Sequence, residues 1–155
     1  MGEGARGSEQ VDGAEHAAGE VRRVLLVTPR LLDSRGGRAC TDLALRLDRK
    51  RFQPAVCCYD GWGPLAEEVM HAGIEIFPLR RRSGLDLTFP AALAAEIRRR
   101  RIDIVHSLNA RRAYLVGAVG GLLAGVPSSV ATLRDTRLLS DSRRLAWMGP
   151  EIRLR

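Results

Sequence analysis

One stretch, VRRVLLVTPRLLDSRGGR from Val21 to Arg38, limits the fold of this chain more than any other. Val24-Leu25-Leu26-Val27 is a short continuous apolar run, the pattern of a strand buried on both faces. Thr28 and Pro29 end it, because proline cannot donate to a sheet ladder. A loop with Asp33, Ser34 and Arg35 leads to Gly36-Gly37, and apolar residues then recur at helical spacing in Ala39, Cys40, Leu43, Ala44 and Leu47. Strand, glycine turn and helix in that order predict the opening of a Rossmann-like, doubly wound parallel sheet. In such a sheet the first helix turns free N–H groups and a positive dipole end toward a crevice.

The rest of the chain repeats the unit. Strands are predicted at Ala55–Tyr59, Ile74–Leu79, Ile102–His106 and Ser128–Leu133, with Pro54 opening the second. Pro64 begins a second helix whose apolar side is Leu65, Val69 and Met70 and whose stop is Gly73. A third helix follows Pro90, with Leu93, Ala94 and Ile97 inward and Arg98 to Arg101 on its last turn, where the dipole favours cations. The fourth, apolar on most sides from Ala113 to Ala124, is expected to be deeply buried. A short last helix runs from Ser140 or Asp141 through Trp147. Right-handed crossovers give a three-layer α/β/α domain with strand order 3-2-1-4-5. The ends of strands one and four then share a crevice holding Thr28, Gly36, Gly37, His106, Ser107 and Asn109.

The chain has 155 residues, enough for one core and too few for two. Its net charge of +7 rests on arginine, Lys50 being the sole lysine, and its aromatic content of 5% lacks the stacking groups of a nucleic-acid binder. Cys40, Cys57 and Cys58 have no metal-ligand spacing and no disulfide framework, which points to reduced thiols and a cytoplasmic protein. No basic and apolar signal segment opens the chain, and no apolar run reaches the length of a membrane span. Residues 1–20 are expected to be a disordered leader, residues 21–148 the domain, and residues 149–155 a truncated tail.

Three blocks carry a family resemblance: the double glycine after the first strand, GPLAEEVMHAGIEIFPL, and DIVHS followed by AGVP. In this order, from Arg23 to Asp135, the sequence resembles the N-terminal half of family 4 glycosyltransferases of the GT-B fold. It departs from that pattern at Ala39, where an acidic or amide residue is common, and at Leu108, where a second histidine is common. The resemblance implies an enzyme that moves a sugar from a nucleotide-sugar to an acceptor without a metal or other cofactor. The N-terminal domain would chiefly hold a glycan or lipid-linked acceptor. The donor would be gripped by a C-terminal domain, which this sequence lacks. It further implies a cytoplasmic setting with at most peripheral contact at the inner face of the membrane.

His106 is the candidate catalytic residue, since an imidazole near neutral pH can orient or deprotonate a hydroxyl; a packed histidine at a strand end is the alternative. Gly36 and Gly37 either bring N–H groups to a phosphate or sugar or form a tight turn needing positive φ. Ser107, Asn109 and Arg134 complete the candidate binding set, with an ion pair to Asp135 or Arg137 as the plainer role for Arg134. A non-catalytic Rossmann-like remnant or binding module remains the competing function, and a basic nucleic-acid binder a third.

Overall fold

A computed structural model describes residues 20–79, 88–108 and 111–132, except for the side chains of Arg111 and Arg112. Its elements are β1 (Arg22–Thr28), α1 (Arg35–Arg46), β2 (Phe52–Cys58), α2 (Ala66–His71), β3 (Glu75–Pro78), α3 (Phe89–Arg99), β4 (Ile104–Leu108), α4 (Arg111–Ala124) and β5 (Ser128–Thr132). All five strands are parallel in the order β3-β2-β1-β4-β5, as the right-handed crossovers predict. The expected last helix lies outside the described residues.

Strand β1 is central, and Leu25, Leu26 and Val27 are fully buried. Side chains alternate across a strand, so they feed two separate cores. Val24 and Leu26 join Val56, Cys40, Ala44 and Val69 beneath α1 and α2. Leu25 and Val27 join Val105, Phe89, Leu93 and Ile97 beneath α3 and α4. Burying each large aliphatic side chain contributes about 1.5–3 kcal/mol, so this double burial is what holds the layers together.

Four expectations need correction. Pro54 lies inside β2, opposite Val24. The Tyr59 N–H donates to the Thr28 carbonyl, and the Leu79 N–H donates to the Cys58 carbonyl. Even-numbered β2 residues therefore face β3, which begins only opposite Ala55, so no ladder bond is lost at Pro54. Met70 is exposed rather than part of the α2 apolar side. Strand β4 starts two residues later than expected. The Ile102 N–H closes α3 on the Ile97 carbonyl, while Asp103 accepts the Arg23 N–H at 2.7 Å, so both belong to the connection.

Helix α4 is not deeply buried. Its glycines form a flat inner face, and a Cβ at Gly120 would lie 2.8 Å from Leu93 Cδ2. The outer residues Leu115, Val119, Leu122 and Leu123 face solvent, Leu122 at 80% exposure.

The arginines after α3 are structural as well as solvated. Arg100 lies 3.7 Å above the Phe77 ring and pairs with Glu75 at 3.0 Å and with Glu96. Arg98 donates to the Leu123 carbonyl of α4.

Candidate functional site

The C-terminal ends of β1 and β2 open onto a cleft of about 510 Å³ lined by Thr28, Pro29, Arg30, Leu32, Ser34, Gly36, Gly37 and Asp60. The position is that of a ligand crevice in an open parallel sheet, outside the carboxyl ends of the strands.

Local sequence chemistry builds its walls. Ser34 is extended, with φ −134° and ψ 163°, and its hydroxyl accepts the Gly37 N–H at 3.2 Å, which starts α1 at Arg35. Gly36-Gly37 therefore forms no turn before the helix; it lies in the first turn, and neither glycine has positive φ. Gly37 is required for another reason, since a Cβ there would sit 1.9 Å from the Leu32 carbonyl oxygen. No acidic residue occupies the first turn of α1; the nearby Asp33 carboxylate pairs with Arg38 at 2.9 Å.

The loop from Pro29 to Ser34 is clamped on both sides. Leu31 is wholly buried and anchors it in the α1–α2 core. The Asp60 N–H donates to the Pro29 carbonyl at 2.9 Å, and the Leu65 N–H donates to the Leu31 carbonyl at 3.1 Å. Arg30 Nε donates to the Asp60 carbonyl. Thr28, 1% exposed and with its buried hydroxyl lacking a hydrogen-bond partner, is among the residues that line the same cleft. An orphaned buried hydroxyl is costly. With a helix N-terminus and Arg30 beside it, the cleft suits a ligand rich in oxygen, such as a sugar hydroxyl or a phosphate.

Of the sequence candidates, Gly36 and Gly37 line this cleft, and His106 and Ser107 do not. His106 is an interior residue of β4, paired in register with Leu26 and Val130. Leu26, Ile104 and Leu108 belong to the core beneath α1 and α2, and alternation puts His106 on that same face. Its Nε2 lies 2.7 Å from the Thr132 hydroxyl, and burial holds its pKa below the ordinary imidazole value. Tyr114 of α4 donates to the Thr132 carbonyl, tying the end of β5 to that helix.

Ser107 points to the opposite face and is 2% exposed. Its hydroxyl lies 2.0 Å from where a Cβ at Gly117 would stand, so it is covered by α4 instead of entering the crevice. Asn109 and Arg134 lie outside the described residues. Sequence reading did not single out Arg30, Leu32, Ser34 or Asp60 as site residues. The signal for them was the pairing of β1 with β2, which sets Thr28 beside Cys58 and brings the two following loops together.

The sequence pattern of Glycosyltransferase Family 4 matches residues 36–149. Among solved structures, the glycosyltransferase from Rickettsia africae ESF-5 is similar, with a TM-score of 0.58 and 18% identity. That likeness covers 73% of this chain and 30% of the other, and at this identity it is a likeness of fold. Among curated proteins none matches. With the family pattern running over most of its length, the chain belongs to glycosyltransferase family 4.

Proposed function

We propose that this chain is the acceptor-side part of a glycosyltransferase that moves a sugar from a nucleotide-sugar to an acceptor hydroxyl. The observation that carries the reading is the cleft at the β1 and β2 ends, in a chain of this family. Arg30 and the N-terminus of α1 give it polar groups suited to a glycan or a lipid-linked sugar. The donor is held by a second domain, as transfer requires both reactants in register. No metal or other cofactor takes part. The setting is cytoplasmic, with at most peripheral contact at a membrane; no described helix is long and apolar enough to cross one.

His106 is the proposed acid–base or hydrogen-bonding group. Its register partner is Leu26, two residues before Thr28 on the neighbouring strand. Two residues of strand rise and one strand spacing put the Thr28 and His106 backbones about 8 Å apart on one face, within the reach of a single bound sugar. Burial keeps the ring neutral near pH 7, the form able to take a proton from a hydroxyl.

The test is nucleotide-sugar consumption by the product of the complete gene, offered simple glycosides and lipid-linked sugars as acceptors. Transfer that falls about ten-fold to a few hundred-fold in kcat for His106→Ala, with an unchanged thermal midpoint, supports the assignment. Absence of turnover with every common nucleotide-sugar overturns the reading. Normal turnover with a lowered midpoint makes His106 structural.

A further inference from the structure

We propose that Trp62, in the loop next to the cleft, is a stacking platform for a pyranose ring of the acceptor; this rests on the acceptor-side reading above. Trp62 is 50% exposed, in the loop between β2 and α2. It is two residues beyond Asp60, which lines the cleft.

The backbone on both sides of this side chain is fixed. Gly61 has φ +104°, a conformation that L side chains rarely adopt. At Gly63 a Cβ would lie 2.1 Å from the Leu31 carbonyl oxygen, so only glycine lets the loop press against the Leu31–Leu32 backbone. Hydrogen bonds from Asp60 to Pro29 and from Leu65 to Leu31 close the seam before and after the tryptophan. A loop held in this way loses little further backbone freedom when a ligand meets it, which favours binding.

The surroundings indicate the ligand. Leu32, on the loop that Gly63 abuts, is 46% exposed and also lines the cleft. Leu32 thus gives an apolar side chain to a cavity whose other lining residues include Arg30, Asp60 and Thr28, and the half-exposed Trp62 stands in the loop that carries Asp60. A pyranose has the matching division. One face of C–H bonds suits the negative face of an indole ring, and its rim of hydroxyls suits the polar groups. An isolated exposed leucine would need no such account. A half-exposed tryptophan between two constrained glycines, in the loop that gives Asp60 to a cleft, does.

The experiment follows the indole N–H resonances of the ¹⁵N-labelled 155-residue chain, whose two tryptophans are Trp62 and Trp147. A Trp62→Phe spectrum assigns the pair. The probes are the methyl α- and β-pyranosides of glucose, galactose, mannose and N-acetylglucosamine at millimolar concentration, with sorbitol as an open-chain polyol lacking a ring face. The expected result is a saturable shift of the Trp62 signal with at least one pyranoside and none with sorbitol. Read from the backbone amide shifts of the same spectra, binding should weaken about ten-fold or more in Trp62→Ala and largely survive in Trp62→Phe, as loss of ring contact implies. Binding equally strong in Trp62→Ala, or a silent Trp62 signal with every pyranoside, overturns the proposal. Nucleotide-sugar consumption by the whole gene product is scored separately. Consumption with a silent Trp62 refutes the platform alone, and a Trp62 that titrates in a protein without transfer refutes its role toward an acceptor.

Discussion

Replacing Gly117 with alanine tests which way β4 faces, and with it which of two adjacent candidates can meet a substrate. A Cβ at Gly117 would stand 2.0 Å from Ser107 Oγ, 3.3 Å from Ser107 Cβ and 3.4 Å from Val105 Cγ1. The first distance is a collision, while the other two are tight or ordinary contacts. Alanine in a helix interior is favoured over glycine by about 1 kcal/mol, but overpacking of a fitted interior costs about 1–3 kcal/mol. Gly117→Ala is therefore expected to lose about 1–2 kcal/mol net, or roughly 3–6 °C in Tm for a chain of this size. Ser107→Ala removes the colliding oxygen at the cost of about 1 kcal/mol for its hydrogen bonding. In that background, Gly117→Ala should become neutral or stabilising by up to about 1 kcal/mol, because the propensity gain remains and the collision is gone. The coupling, about 1–3 kcal/mol, is read from urea or thermal denaturation of the four proteins in the cycle. Equal cost of Gly117→Ala in both backgrounds would refute the placement of Ser107 under α4 and return it to the crevice.

Three further outcomes are expected. Since burial lowers the His106 pKa, the unfolded chain protonates this ring first as pH falls, so stability declines from neutral pH down through the folded pKa and is flat above the ordinary imidazole range. His106→Gln should flatten that decline in denaturation curves, and an unchanged slope would discount the histidine. Ser34→Ala should cost about 1 kcal/mol by freeing the Gly37 N–H, and Ser34→Asp should restore most of it, both measured by urea denaturation. Burial pushes the Cys40 thiol up to about 12, the Cys58 thiol up to about 11 and the Cys57 thiol further, so Ellman's reagent at pH 8 should label all three only as fast as the protein opens.

The sheet was legible because its information is periodic. β1, β2 and β4 carry apolar runs, and strand–helix repeats with right-handed crossovers fit a doubly wound sheet, whose usual order puts the first strand in the middle. Ends of elements were less legible, because single side chains set them. Asp103 looks like a strand residue by pattern, yet its carboxylate accepts the Arg23 N–H and delays β4 to Ile104. The strand also runs on to Leu108, which makes His106 an interior residue and not a strand end. Gly36-Gly37 was recognisable as special but not for its actual reason, since the approach of Leu32 to Gly37 depends on a loop folding back across the helix start. The outer face of α4 was misjudged because an apolar composition does not say how many sides have neighbours. Asn109 and Arg134 stand outside the described residues and keep only their sequence rationale.

The period-two geometry of β4 also sorts chemistry from packing. Val105 and Ser107 face α3 and α4, whereas Ile104, His106 and Leu108 face the α1–α2 side. The cleft opens on that second side, since α1 supplies Ser34, Gly36 and Gly37 to it. A group meant to act on a ligand there must therefore occupy an even-numbered position of β4. Leu108 is apolar and 3% exposed, and Ile104 lies further from the strand tips, which leaves His106. Its hydrogen bond to Thr132 aims the ring toward β5, and burial disfavours the charged form. A neutral imidazole held in that way can accept a proton or hold a hydroxyl, but a cation could not be kept there cheaply. The positive groups of the cleft wall are instead Arg30 and the α1 N-terminus, beside Thr28. Under the proposed function, holding falls to the β1 loop and proton handling to β4, so that a ligand would have to lie across the β1–β4 boundary to engage both.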